Sequence, residues 1–204
     1  MNSRLYRQRL NEDNVVVLDD FLDPAICSKL LYEFSHYDWK PSEIATLLPQ
    51  RQLEQTRVPA RNSMTVTAGK WSVRAESILR RIERSLEKQF SIVTSRLEEW
   101  QVTRYMKREY YDFHLDCGYW KRDPAGERRR TVLIYLDSPL QGGGTFFRAL
   151  NLKIPAVAGR IVVWNNLLSN GNCNHAMIHA GLPVIRGIKT ILITWERERK
   201  YLRK

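Results

Sequence analysis

WQVTRYMKREYYDFHLD (residues 100–116) is where the chain changes its period. Before it, apolar residues recur every three to four positions. From Trp100 onward they alternate or run in short β-branched and aromatic stretches, the pattern of strands. Downstream, the same reading predicts strands at 131–136, 145–147, 161–164 and 190–195. They are bounded by Asp137-Ser138-Pro139, by Gly142-Gly143-Gly144 and by Gly187. The three glycines read as a hairpin turn; with no helix start and no Lys-Ser/Thr after them they are not a phosphate loop.

Upstream, residues 14–22 (NVVVLDDFL) predict a strand and its exit. Asp23-Pro24 then supplies an N-cap and a first-turn proline for a helix reaching about residue 37. Ile26, Leu30, Leu31, Phe34 and Tyr37 form its apolar stripe, and His36 reads as a C-terminal cation. Residues 43–70 contain Pro49, Pro59 and Gly69 and predict loop plus one edge strand at 64–67. Residues 73–90 return to helical spacing through Ile78, Leu79, Ile82, Leu86 and Phe90. Helices first and strands afterwards predict an α+β architecture, a small antiparallel barrel or jelly-roll sandwich with helices on one outer face. No linker or repeat divides the 204 residues, so one domain is expected: 1–100 as N-terminal strand and supporting helices, 101–197 as the catalytic core and 198–204 as a basic tail.

No apolar leader and no long apolar run is present, which predicts a soluble, cytoplasmic protein with no membrane partner. Three widely spaced cysteines, Cys27, Cys117 and Cys173, argue against a disulfide framework and agree with a reducing compartment. Cys117 reads as a packing residue. Lys and Arg exceed Asp and Glu by 33 to 22, a net charge of +11. Such a field attracts anions, nucleic acid included, but no nucleic-acid motif accompanies it, and a solvated surface is the simpler reading.

Chemistry concentrates in His114-Leu115-Asp116, His179 and Lys189. An imidazole and a carboxylate two positions apart on an extended segment share a face, and a second imidazole from a distant strand completes a three-ligand cap. Two His and one carboxylate leave positions open for a chelating cosubstrate and dioxygen, which suits non-haem Fe(II). Lys189 opens the apolar run 190–193; facing inward it needs an anion, such as the far end of a dicarboxylate. His175 rivals His179, but only His179 keeps the ten-residue interval to Lys189 along a strand-turn-strand path.

The runs TRYMKREYYDFHLDC, TVLIYLDSPLQGGGTFF, HAGLPVIRGIKTILITW and VVVLDDFLDPAICSKLL together resemble the prolyl 4-hydroxylase-like branch of the 2-oxoglutarate- and Fe(II)-dependent oxygenases over about residues 14–197. The resemblance implies a double-stranded β-helix, with His114, Asp116 and His179 as iron ligands. It implies Lys189 as partner of the 2-oxoglutarate C5 carboxylate, assisted by Tyr105. Tyr111, Arg128 and Trp195 match positions on the substrate side. The implied reaction hydroxylates an aliphatic C–H, foremost a prolyl residue of a peptide or protein, and releases succinate and CO2. L-Ascorbate is a candidate auxiliary reductant, and free amino acids or nucleic acid are the alternative substrates. Two departures, Lys107-Arg108-Glu109 where a glycine is usual and Gly144 where an acidic residue is usual, fall at the expected pocket mouth and bear on substrate identity.

Overall fold

Alternation along three strands decides the architecture. In Arg128–Tyr135, Val132 and Ile134 point one way and Leu133 and Tyr135 the other; Ile161 and Val163 oppose Val162 and Trp164 in Ile161–Asn165; Leu192 opposes Ile191, Ile193 and Trp195 in Lys189–Arg197. Successive side chains of a strand face opposite sides. When both sides are apolar, the sheet must be covered on both. One side meets two helices and the other meets a second sheet.

The computed structural model describes residues 10–47, 53–67 and 70–203. In chain order the strands are β1 Val15–Leu18, β2 Lys40–Pro41, β3 Ile44–Leu47, β4 Leu53–Thr56, β5 Met64–Thr67, β6 Gln101–Tyr105, β7 Tyr111–His114 and β8 Arg128–Tyr135. They continue as β9 Gln141–Gly142, β10 Thr145–Phe147, β11 Leu152–Ile154, β12 Ile161–Asn165, β13 His179–Gly181, β14 Val184–Arg186 and β15 Lys189–Arg197. The helices are α1 Pro24–Ser35 and α2 Val73–Phe90. A seven-stranded sheet, β1-β12-β8-β15-β6-β5-β2, faces a four-stranded one, β11-β10-β13-β7, and encloses Tyr105, Phe147, Trp164, Met177 and Trp195. This is the expected α+β double-stranded β-helix.

Both helices begin as their sequences dictate. The Asp23 carboxylate accepts from the Ala25 amide (2.7 Å) ahead of Pro24, and the Ser72 hydroxyl accepts from the Ala75 amide (3.1 Å). Leu30 and Phe34 of α1 and Leu79, Ile82 and Leu86 of α2 pack with Val132, Ile134 and Leu192 against the outer face of the large sheet. His36 closes α1, its Nδ1 2.9 Å from the Tyr32 carbonyl.

Three expectations change. Residues 43–70 are more than loop: β3 and β4 pair as a separate hairpin, and β5 lies inside the large sheet between β6 and β2. The short runs IATL and LEQT lack the β-branched density that would have marked them; Pro49 and Gly69 lie outside the described residues. The glycines 142–144 do not join two neighbouring strands. β9 pairs with β14 and β10 with β11 and β13, so the chain crosses there from one sheet to another. Gly142 takes φ +80°, and a Cβ would stand 2.3 Å from the Pro183 carbonyl oxygen. Finally, Cys117 and Cys173, 56 positions apart, form a disulfide, whereas Cys27 is free and buried. The loops after Asp116 and before His179 meet only through the tertiary fold, which residue spacing cannot show. The cysteine argument for a reducing compartment falls with it. No helix among the described residues is long and apolar enough to cross a membrane.

Part of the basic excess is neutralised internally. Arg128 and Arg197 share Glu98, Arg197 also reaches Asp123, and Arg130 pairs with Glu196, which is fully buried. Arg130 also donates to the carbonyls of Phe90 (2.8 Å) and Ser91 (2.9 Å), fastening the end of α2 to β15. Removing one member of a buried pair strands the other charge and costs about 3–5 kcal/mol. Arg130→Met is therefore expected to lower the melting temperature by about 10 °C. Arg130→Met/Glu196→Met should recover part of that loss in the same thermal melt, because both charges are then gone.

Candidate functional site

β7 and β13 run antiparallel with His114 opposite His179, and their ring centroids stand 4.2 Å apart. Each ring is turned by its own chain: His114 Nδ1 lies 2.8 Å from the Asp112 carbonyl oxygen and His179 Nδ1 2.9 Å from that of Met177. A carbonyl can only accept, so Nδ1 carries the hydrogen and the lone pair is left on Nε2. Asp116 follows β7. Its Oδ1 is 3.7 Å from His114 Nε2 and its Oδ2 3.9 Å from His179 Nε2. The ligand atoms of the three residues all lie within 4.8 Å of one another.

Burial, aided by the neighbouring His179, pushes the His114 imidazolium down to about 3, so the ring is neutral at physiological pH. Burial alone would raise the Asp116 carboxyl; His179, His114, Arg128 and the Thr131 hydroxyl outweigh it and hold the group below the ordinary carboxylate range. Two imidazole nitrogens and one ionised carboxylate on one side of a gap fit a divalent first-row metal, and with open positions they fit non-haem Fe(II). His175 lies outside this group, exposed in the 3-10 turn His175–Met177.

Lys189 opens β15 opposite Tyr105 of β6 and is 1% exposed. Its Nζ sits 4.1 Å from the centre of the Tyr105 ring, and it makes no ion pair among the described residues. Gly181 makes room beside it, since a Cβ there would stand 3.2 Å from the Lys189 Nζ. One cavity of about 290 Å³ is lined by His114, Asp116, His179, Lys189 and Tyr105 together with Tyr111, Arg128 and Trp195. All eight positions singled out from the sequence therefore border one space. Tyr111 stacks on His114 with centroids 3.7 Å apart.

Arg128 borders the cavity in a constrained manner. Its Nε and Nη2 each donate to Glu98 at 2.7 Å, while Trp120 and Trp195 cover its faces at 3.7 and 3.6 Å. Such a guanidinium fixes two indoles as a wall.

Sequence reasoning missed Arg61 and Thr145. Arg61 lies over the Tyr111 ring at 4.8 Å and donates to Ser63 (3.2 Å), Thr103 (3.2 Å) and the Glu43 carbonyl (3.1 Å), tying the base of the β3–β4 hairpin to β6. Nothing periodic marks it in VPARNS. Thr145, with its hydroxyl 2.6 Å from Tyr135 Oη, lines the cavity across from Gly181 in the β10–β13 register. Its only signal was its place after the three glycines.

Residues 100–197 match the 2OG-Fe(II) oxygenase superfamily. A candidate prolyl 4-hydroxylase of Acanthamoeba polyphaga mimivirus is 31% identical over 193 residues, covering 91% of this chain and 74% of the relative. The prolyl 4-hydroxylase subunit alpha-3 of Homo sapiens is 34% identical over 48% of this chain, which spans 19% of that longer protein. The crystal structure of a viral collagen prolyl hydroxylase from Paramecium bursaria Chlorella virus-1, in complex with 2OG, superimposes with a TM-score of 0.66 at 24% identity, over 90% of this chain and 95% of that one. The chain belongs to the prolyl 4-hydroxylase-like 2-oxoglutarate- and Fe(II)-dependent oxygenases.

Proposed function

We propose that this oxygenase hydroxylates a prolyl residue within a peptide or protein, with His114, Asp116 and His179 holding Fe(II) and Lys189 holding the C5 carboxylate of 2-oxoglutarate. The observation that carries the reading is a buried lysine without a carboxylate partner among the described residues, in the same cavity as a two-His-one-carboxylate cluster. When bound, the metal and cosubstrate supply oxygen activation coupled to decarboxylation, yielding succinate and CO2. The chain supplies position and charge. The carbonyls of Asp112 and Met177 orient the two imidazoles, Tyr105 and Gly181 shape the space around the Lys189 ammonium, and Tyr111 and Trp195 offer aromatic surface to a prolyl ring. The names of the relatives support a peptide-borne proline over a free amino acid. L-Ascorbate belongs to the same reading, as a reductant for oxidised metal.

With anaerobic Fe(II) and 2-oxoglutarate the protein is expected to show a weak visible charge-transfer band. In air, succinate should form faster with proline-containing peptides than with free amino acids or oligonucleotides. Succinate formation stimulated only by free amino acids would overturn the peptide assignment.

Burial pulls the Lys189 ammonium from 10.5 down to about 7, against a smaller upward pull from Asp137. Only the protonated form can pair with a carboxylate. The apparent affinity for 2-oxoglutarate is therefore full below pH 7 and is expected to fall by about tenfold per pH unit above it. Lys189→Arg should flatten this slope, because a guanidinium stays charged across the range. Lys189→Ala should raise the KM for 2-oxoglutarate on the order of a hundredfold while metal affinity stays near wild type. Titrations of 2-oxoglutarate between pH 6 and 9 check both variants; a flat profile in the wild type would remove Lys189 from the cosubstrate site.

A further inference from the structure

Asp116 does not stand alone behind its ligand atom. The Thr131 hydroxyl lies 2.6 Å from Asp116 Oδ2, and Asn166 Nδ2 lies 2.8 Å from the same hydroxyl oxygen. All three side chains are buried, Thr131 completely and Asn166 at 2% exposure. The direction of this chain of bonds is fixed by chemistry. An amide NH2 can only donate, so the Thr131 oxygen accepts from Asn166 and must place its single hydrogen on Asp116.

The scaffold around the relay is rigid. Thr131 sits inside β8, opposite Trp164 of β12 and Trp195 of β15. Asn166 follows β12, where its amide donates to the Arg129 carbonyl and its own carbonyl accepts from the Asn174 amide, both at 2.8 Å. The loop from Asn166 to Asn174 is joined to the residue after Asp116 by the Cys117–Cys173 disulfide. Asp116 is thus held on two sides by one loop, covalently through its chain neighbour and by hydrogen bonds through its carboxylate.

Resting on the metal-centre reading above, we propose that Thr131 and Asn166 are positioning residues. They form a directional relay that occupies one oxygen of Asp116, so that the carboxylate meets the metal through the other and does not chelate. A carboxylate confined to one oxygen takes one coordination position. That leaves open the positions which a bidentate cosubstrate and dioxygen require. The amide polarises the hydroxyl, which strengthens its bond to the carboxylate. Loss of such outer partners typically lowers metal affinity by roughly 10–100-fold.

The test uses Mn(II), a redox-stable probe, titrated calorimetrically into the metal-free full chain. Asp116→Ala should abolish binding, which checks the metal centre itself. Thr131→Val, equal in shape but lacking the hydroxyl, should weaken Mn(II) binding by about tenfold or more, and Thr131→Ser should stay within about threefold of wild type. Asn166→Ala should weaken binding alone but add nothing in the Thr131→Val background, because it acts only through that hydroxyl. Asn166→Asp supplies a test should Thr131→Val fail to fold: a carboxylate there draws the Thr131 hydrogen away from Asp116, and the loss should match that of Thr131→Val. Melting temperatures of the metal-free variants separate positioning from unfolding. Wild-type Mn(II) affinity in folded Thr131→Val or Asn166→Asp, with Asp116→Ala inactive in binding, would overturn the relay and leave the metal centre standing. Binding that survives Asp116→Ala would overturn the metal centre and the relay together.

Discussion

The pairing of β7 with β13 brings the two imidazoles of the cavity together. Opposite positions of an antiparallel pair bring side chains together on one face. Here the opposed residues are His114 and His179, so two imidazoles 65 positions apart in the chain meet by backbone register alone. A slip of β13 by one residue would turn His179 to the outside of the barrel. Past an irregularity in β13 the register shifts, and Gly181 lies opposite Tyr111 and, through β10, opposite Thr145, so the same strands also shape the space beside Lys189. The large sheet supplies the remaining walls through Tyr105, Lys189, Ile191 and Trp195, none of which could face inward without the second sheet to cover them.

The sequence made part of this legible because some signals are local. The Asp23-Pro24 start is short-range hydrogen-bond chemistry, and both helices appear where spacing placed them. The β-branched and aromatic runs of β8, β12 and β15 announced strands. His114, Asp116, His179 and Lys189 stood out because those residue types recur in a family pattern. Other features were invisible because they exist only between distant segments. Arg61 reads as one of many surface arginines until Tyr111 and Thr103 surround it. Cys117 reads as packing until Cys173 arrives beside it. The three glycines advertise a turn, but which strands they connect is a property of the sheets and not of the turn.

Charge shows the same distinction between count and context. A balance of +11 suggests an open basic surface, yet Arg128, Arg130 and Arg197 are held by Glu98, Glu196 and Asp123. These pairs fix the Trp120–Arg128–Trp195 stack at the cavity wall and the end of α2 on the sheet. Buried pairs contribute little net stability against apolar replacements, but they impose geometry, because each guanidinium accepts only a planar arrangement of partners. A wall made of two indoles locked by one guanidinium is more rigid than one of aliphatic side chains.

Inside the cavity the balance of charge accounts for the placement of the lysine. The cavity is lined by the ionised Asp116 carboxylate, the neutral His114 ring, the Arg61 and Arg128 guanidiniums and the Lys189 ammonium, whose proton affinity is lowered by burial. Under the proposed reading, a divalent metal joins that carboxylate and a dianionic cosubstrate joins that ammonium, so each guest meets a charge opposite to its own. A poorly solvated cavity penalises any residual charge. Lys189 sits next to Tyr105 and Gly181 with no carboxylate of the protein in ion-pair contact among the described residues, so an arriving anion adds to the smaller stabilisation its proton draws from Asp137. Under the proposed reading, metal, cosubstrate and lysine protonation are thereby coupled through desolvation.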